Sequence, residues 1–182
     1  MWLAFAFLPA GGYWSIDNGF KRIQADNVRF RPWLDLSIPY PGKHLDPGMQ
    51  FVPFGLSFHY KWRGEVHLTQ PPAVAILGKP FILLFGDRGE LVVPVLAGLA
   101  CVWLSGELAA AIGARRWLAI ALSGLATSIL FYSLNFWEHT LAVALALGSL
   151  VLACQSSLGR RIPAGLWSGL LMGIAAAIRK KL

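Results

Sequence analysis

Three groups of residues in this sequence have the types and spacing to do chemistry. Asp17 stands in Gly-Gly-Tyr-Trp-Ser-Ile-Asp-Asn-Gly19, directly after an apolar run. A carboxylate held at a water–lipid boundary beside aromatic rings loses part of its hydration, which raises its basicity and suits a general base that draws a proton from a hydroxyl. A second reading makes Asp17 the N-cap of the helix that follows. Glu138 and His139 form the next group, in Asn-Phe-Trp-Glu-His-Thr140 between two apolar runs. Ionisable residues at helix ends near lipid cost free energy to hold there and carry a functional hypothesis by default. Against it stands a plain interfacial turn anchored by Trp137. The last group is cationic. Arg179 closes a Gly-rich apolar run, where a guanidinium either grips a lipid phosphate bidentately or snorkels to water.

What is missing narrows the chemistry. The sequence has no Gly-x-Gly-x-x-Gly, no Walker loop, no His-Glu-x-x-His and no Asp-x-Asp, so no soluble nucleotide or nucleotide-sugar site is supported. Cys101 and Cys154 sit inside apolar runs without His or acidic neighbours at ligand spacing, which points to packing rather than a disulfide or zinc. No cofactor is expected, and the sequence gives no support for a divalent metal.

These residues need elements to position them, and composition says which kind. Of 182 residues, 56% are hydrophobic and 14% charged, with a mean hydropathy of +0.56. A soluble domain of this size cannot hide so much apolar surface in one core, so lipid is the expected solvent. Disorder and a disulfide scaffold are excluded with it. The net charge of +7 raises nucleic acid as a partner, but the basic residues cluster beside apolar runs, as loop anchors and contacts to membrane lipids do, so no nucleic-acid partner is expected.

The expected fold is mainly α, a polytopic transmembrane helical bundle forming a single membrane domain over 1–182. Residues 1–14 read as the outer part of a first membrane helix. Residues 15–90 hold 9 of the 16 basic and 7 of the 9 acidic residues, besides most prolines, and read as a long extracytoplasmic loop. Within it, 17–30 reads as an amphipathic surface helix with Phe20, Ile23 and Val28 on its apolar face. Residues 58–69 read as a short β-hairpin about Gly64. Residues 71–85, broken by Lys79 and Pro80, read as a surface or re-entrant helix. Transmembrane helices are expected over 91–112, 117–134, 138–154 and 162–178, and Gly165, Gly169 and Gly173 give the last of these a small face for a helix contact. The basic turns at 113–116 and 158–161 fall on one side, which the positive-inside rule makes cytoplasmic. Asp17 and Glu138 then share the outer face, where a common site is open to them.

With those residues in place, the chain resembles the GT-C polytopic glycosyltransferases, membrane enzymes that take sugars from polyprenyl-phosphate carriers. The resemblance rests on the acidic residue after the first helix, the long loop with surface helices, Phe-Trp-Glu-His-Thr140 and the Gly-rich helix ending in Arg179. The block from Ile38-Pro-Tyr-Pro-Gly42 through Leu45-Asp-Pro-Gly48 to Phe51-Val-Pro-Phe54 also looks like bacterial membrane proteins of such a branch. It implies a multi-pass protein of a bacterial plasma membrane that moves a sugar from a lipid-linked donor to an extracytoplasmic acceptor. It further implies Asp17 as base, Arg179 as phosphate contact with Lys21 and Arg22, one turn past Asp17, as weaker phosphate candidates, and, because such enzymes are longer, an N-terminal portion or a truncated member. The competing expectation is a non-enzymatic membrane protein, a scaffold or part of a transporter or lipid carrier. A transporter buries ionisable groups near mid-span, and only Glu107 comes near that.

Overall fold

The structure, a computed structural model, describes residues 15–30, 33–55, 57–157 and 163–178. The first apolar run, the turn at 158–161, Arg179, Lys180 and Lys181 lie outside the described residues. Over the described residues the chain is mainly helical with one small two-stranded sheet.

Helix α1 (Ile16–Asn27) opens on Ser15, whose hydroxyl accepts from the Asn18 N–H at 3.4 Å. Ser15 is therefore the N-cap, and Asp17 sits in the first turn, where a negative charge suits the helix dipole. The helix stops at Val28, whose backbone is already extended. Strands β1 (His59–Trp62) and β2 (Glu65–Leu68) pair antiparallel with Trp62 opposite Glu65. Arg63 and Gly64 both take positive φ, 51° and 73°, the geometry of a tight two-residue hairpin turn, which glycine adopts without strain. Ile38 bridges to Val66 alongside, and a 3-10 turn over Pro41–His44 folds the proline-rich stretch back onto the hairpin. Ile38, Met49, Val66 and Leu68 are the core of this unit.

Phe20 and Ile23 pack against that core, so the apolar face of α1 is covered by protein rather than offered to a membrane surface. The opposite side of α1 buries Asn18, Lys21, Gln24 and Ala25. This corrects the expectation of an amphipathic helix lying on lipid. Helical spacing puts Asn18, Lys21 and Gln24 on one stripe, and a buried polar stripe demands partners, which the rest of the chain supplies.

Helix α2 (Ala73–Phe85) carries Pro80 inside it and passes through a 3-10 turn at Gly86–Leu91 into α3 (Val92–Ala111). The 3-10 turn folds onto α2 so closely that a Cβ on Gly89 would come within 2.1 Å of the Phe81 carbonyl oxygen. The stretch expected as one span over 117–134 is instead two helices, α4 (Arg116–Leu125) and α5 (Ile129–Ser133). Thr127 explains the break: its hydroxyl donates to the Ser123 carbonyl at 2.6 Å and accepts from the Ile129 N–H at 3.2 Å, local bonds that replace the helical ladder. Helix α6 (His139–Ser157) packs on α3 and on α7 (Pro163–Ile178).

Among the described residues two helical stretches, Ala73–Ala111 and His139–Ser157, are long and apolar enough to cross a membrane, while Arg116–Leu125 and Ala164–Ile178 are shorter apolar helices. The Gly face of α7 makes little contact: Gly165 meets only the Ser156 hydroxyl, and a Cβ on Gly169 or Gly173 would meet nothing within 4 Å. Cys101 is buried between α3 and α6, its thiol 3.4 Å from the Thr140 carbonyl oxygen, and both cysteines are free thiols.

Candidate functional site

The partners of the α1 polar stripe come from two distant stretches. Gln24 donates to the Gln70 carbonyl at 2.9 Å, and Asn18 donates to the Asn135 side-chain oxygen at 3.1 Å. Lys21 lies against Glu138, its ammonium in direct contact with Oε2, and 3.5 Å from the Pro71 carbonyl oxygen. Lys21 is 2% exposed and Glu138 7%, so this is a buried ion pair rather than a surface one. These four contacts clamp α1 onto the Gln70-Pro71 corner and onto the turn that leads into α6.

That turn is itself fixed from below. Asn135 donates to the Phe131 carbonyl at 2.6 Å, and the Trp137 N–H donates to the Asn135 carbonyl at 2.7 Å. Phe136 is the largest fully buried side chain of the chain's described part and lies in the core with Ala25, Val74 and Ala75. Gly78 makes room for it, since a Cβ there would stand 2.8 Å from the ring. With Phe136 turned inward, Trp137, Glu138 and His139 turn the other way. His139 stacks on Tyr132 with ring centroids 5.2 Å apart and on Trp137 at 5.1 Å.

Between α1 and this turn is a pocket of about 260 Å3 lined by Asp17, Lys21, Gln70, Pro71, Trp137, Glu138 and His139. The structure thus brings together Asp17, Lys21, Glu138 and His139. Asp17 faces it from a solvent-exposed position, with Gln70 Nε2 3.5 Å from its Oδ1. The burial that was to raise its basicity is absent, because the α1 polar stripe faces inward at Asn18 and Lys21 and leaves Asp17 on the rim. Three buried polar atoms of the lining have no hydrogen-bond partner within the protein: Gln70 Oε1, Trp137 Nε1 and His139 Nδ1. An orphaned buried polar atom costs about 1–3 kcal/mol, and such atoms gathered on one pocket are what a binding site contains before its ligand arrives.

Arg22 points elsewhere. It is shared among Asp26 at 3.0 Å, Asp87 at 2.8 Å and Glu90 at 3.4 Å, joining α1 to the 3-10 turn before α3. Lys21 and Arg22 are therefore both engaged by carboxylates, which removes the reason for expecting either to hold a lipid phosphate. Arg179 lies outside the described residues. Glu107 pairs with Arg116 at 2.6 Å, and that guanidinium stacks 4.3 Å over Trp103, an anchor at the α3–α4 turn. Among the described residues no group of three His, Cys, Asp or Glu is placed to hold a metal ion, and the Lys21 ammonium occupies the Glu138 carboxylate.

Sequence reasoning missed Asn18, Gln70 and Asn135 as parts of the site. The spacing of Asn18, Lys21 and Gln24 was the available signal, a polar stripe at three-residue steps on a helix whose other side is apolar. Comparison with protein-family models, with curated proteins and with solved structures finds no match for this chain.

Proposed function

We propose that this chain is a multi-pass membrane glycosyltransferase of a bacterial plasma membrane, or a fragment of one, with the 15–90 segment extracytoplasmic. It moves a sugar from a polyprenyl-phosphate donor to an acceptor hydroxyl. Asp17 takes the hydroxyl proton as the acceptor oxygen bonds to the anomeric carbon, and the carbon–oxygen bond to the lipid phosphate breaks with its electron pair leaving on the phosphate. Glu138 and Lys21 fix the turn that carries Trp137 and His139, the walls of the acceptor pocket. The phosphate contact expected of Arg179 completes the scheme.

The observation that carries this reading is the convergence of Asp17 with Lys21, Glu138 and His139 on one pocket, from stretches far apart in sequence. The membrane part of the reading is supported by outward-facing side chains: only 33% of the most apolar window of Ala73–Ala111 and 28% of that of His139–Ser157 is buried within the protein. Leu96, Leu99 and Trp103 of α3 and Val143 and Leu150 of α6 stand exposed, as lipid-facing residues do.

The test is transfer from a radiolabelled polyprenyl-phosphate sugar by the full-length protein in membranes. Transfer that Asp17→Asn abolishes, with membrane insertion unchanged, supports the reading. Transfer that survives the substitution rejects Asp17 as base, and a scaffold or carrier protein becomes the better account.

A further inference from the structure

Resting on the transferase reading above, we infer that the pocket lined by Asp17, Trp137 and Glu138 takes the uncharged hydroxylated ring of the acceptor and turns away phosphate, so that the donor phosphate is held elsewhere.

Charge is the first argument. The lining carries the carboxylates of Asp17 and Glu138 against one ammonium, that of Lys21, and Lys21 is already committed to Glu138. A phosphate brought into the pocket meets the Asp17 carboxylate, which is paired with no cation among the described residues, and like charges at contact distance repel. Arg22, next to Lys21 in the chain, is bound by Asp26, Asp87 and Glu90 and is not part of the lining.

Hydrogen-bond chemistry points the same way independently of charge. The Asp17 carboxylate and Gln70 Oε1 are acceptors, and Gln70 Oε1 is buried without a partner. They need hydrogen-bond donors, of which the phosphodiester group of a lipid-linked sugar has none and a hydroxylated ring has one on every side. Trp137 Nε1, also buried without a partner, donates to a ring hydroxyl, and His139 Nδ1 serves either role by tautomer. Trp137 and His139, their rings stacked on each other, also line the pocket and add apolar surface beside these polar atoms. At about 260 Å3 the pocket lies below the ~300–1,000 Å3 of drug-sized sites, the scale of a single ring.

The experiment uses the full chain in lipid nanodiscs at pH 8, where imidazoles are ordinarily neutral. Saturation-transfer NMR is recorded with methyl α-glucoside, methyl α-mannoside and methyl β-galactoside as probes, and with inorganic phosphate and glucose 1-phosphate as competitors. The expected result is saturation of at least one methyl glycoside, with glucose 1-phosphate at least about tenfold weaker. Trp137→Phe, which keeps the ring and removes the N–H, lowers the glycoside signal, and Asp17→Asn narrows the gap between glycoside and sugar phosphate. Because Asp17 is exposed, its variant keeps the fold, and circular dichroism verifies this. Displacement of the glycoside by equimolar phosphate or glucose 1-phosphate overturns the inference. So does the lack of any glycoside signal, or a signal that neither substitution changes. The transferase reading fails on a different result, undiminished transfer by Asp17→Asn, so selectivity and catalysis are scored apart.

Discussion

The buried carboxylate of Glu138 is met by the ammonium of Lys21, and this contact ties the second turn of α1 to the start of α6. Removing one partner leaves the other charge stranded away from water, whereas removing both leaves only a packing change. Lys21→Met alone is expected to lose about 3–5 kcal/mol, and Lys21→Met with Glu138→Leu to recover most of it. Denaturant unfolding of the detergent-solubilised chain, followed by tryptophan fluorescence, measures both. A single variant as stable as the parent contradicts a buried pair.

Gly78 and Phe136 set the depth of the site turn. A Cβ on Gly78 would stand 2.8 Å from a ring that is 1% exposed, so the ring must move and the turn over 135–139 with it. Gly78→Ala is expected to cost about 1–3 kcal/mol by overpacking. Gly169→Ala, with nothing within 4 Å, is expected to be neutral or to stabilise α7 by up to ~1 kcal/mol through helix propensity. The same unfolding assay ranks the two, and equal effects reject the packing argument.

Asp17→Asn keeps the size and polarity of the side chain and removes the base. Loss of general-base catalysis is expected to slow transfer by about 10²–10⁴-fold with helix content unchanged. Product formed from a lipid-linked sugar, normalised to protein in the membrane, reads this.

Acid should loosen the proline-rich unit before the helices. The Phe51 N–H on Asp46, helped by Gln50 and by the Tyr40 hydroxyl, holds that carboxyl below its ordinary range, and the Ser37 N–H does the same for Asp35. A carboxyl lowered in the folded state adds stability above its unfolded value, near 3.9, and that stability is lost as pH falls through the lower folded value. Amide exchange over 35–55, corrected for intrinsic rates, should therefore rise between pH 5 and pH 3, both test values set about the ordinary aspartate range. Asp46→Asn should flatten the dependence around Phe51. A rise of equal size in the variant tells against the Asp46 turn as its source.

Much of the local structure was legible because it is written in short-range chemistry. Residues such as Gly64 between alternating strands and the long apolar stretches carry their conformational preferences with them, whereas Pro80, expected to break its apolar run, lies inside one helix, α2. The 117–134 stretch was misread for the converse reason: apolarity promises burial or lipid contact, and the hydroxyl of Thr127, free to bond to the backbone, is what breaks the helix there. For α1, periodicity correctly separated Phe20 and Ile23 from the polar residues but assigned the apolar side to lipid, since nothing in a helix says which surface will cover it.

The sequence by itself determined a mainly helical chain with a hairpin, apolar helices and a carboxylate at the head of α1. Only the tertiary structure decided that Lys21 is spent on Glu138 and that Gln70 and Asn135 belong to the site. The physical reason is that a buried polar group must find a partner wherever the chain brings one, and such pairings depend on how helices dock, not on the spacing of residues along any one of them.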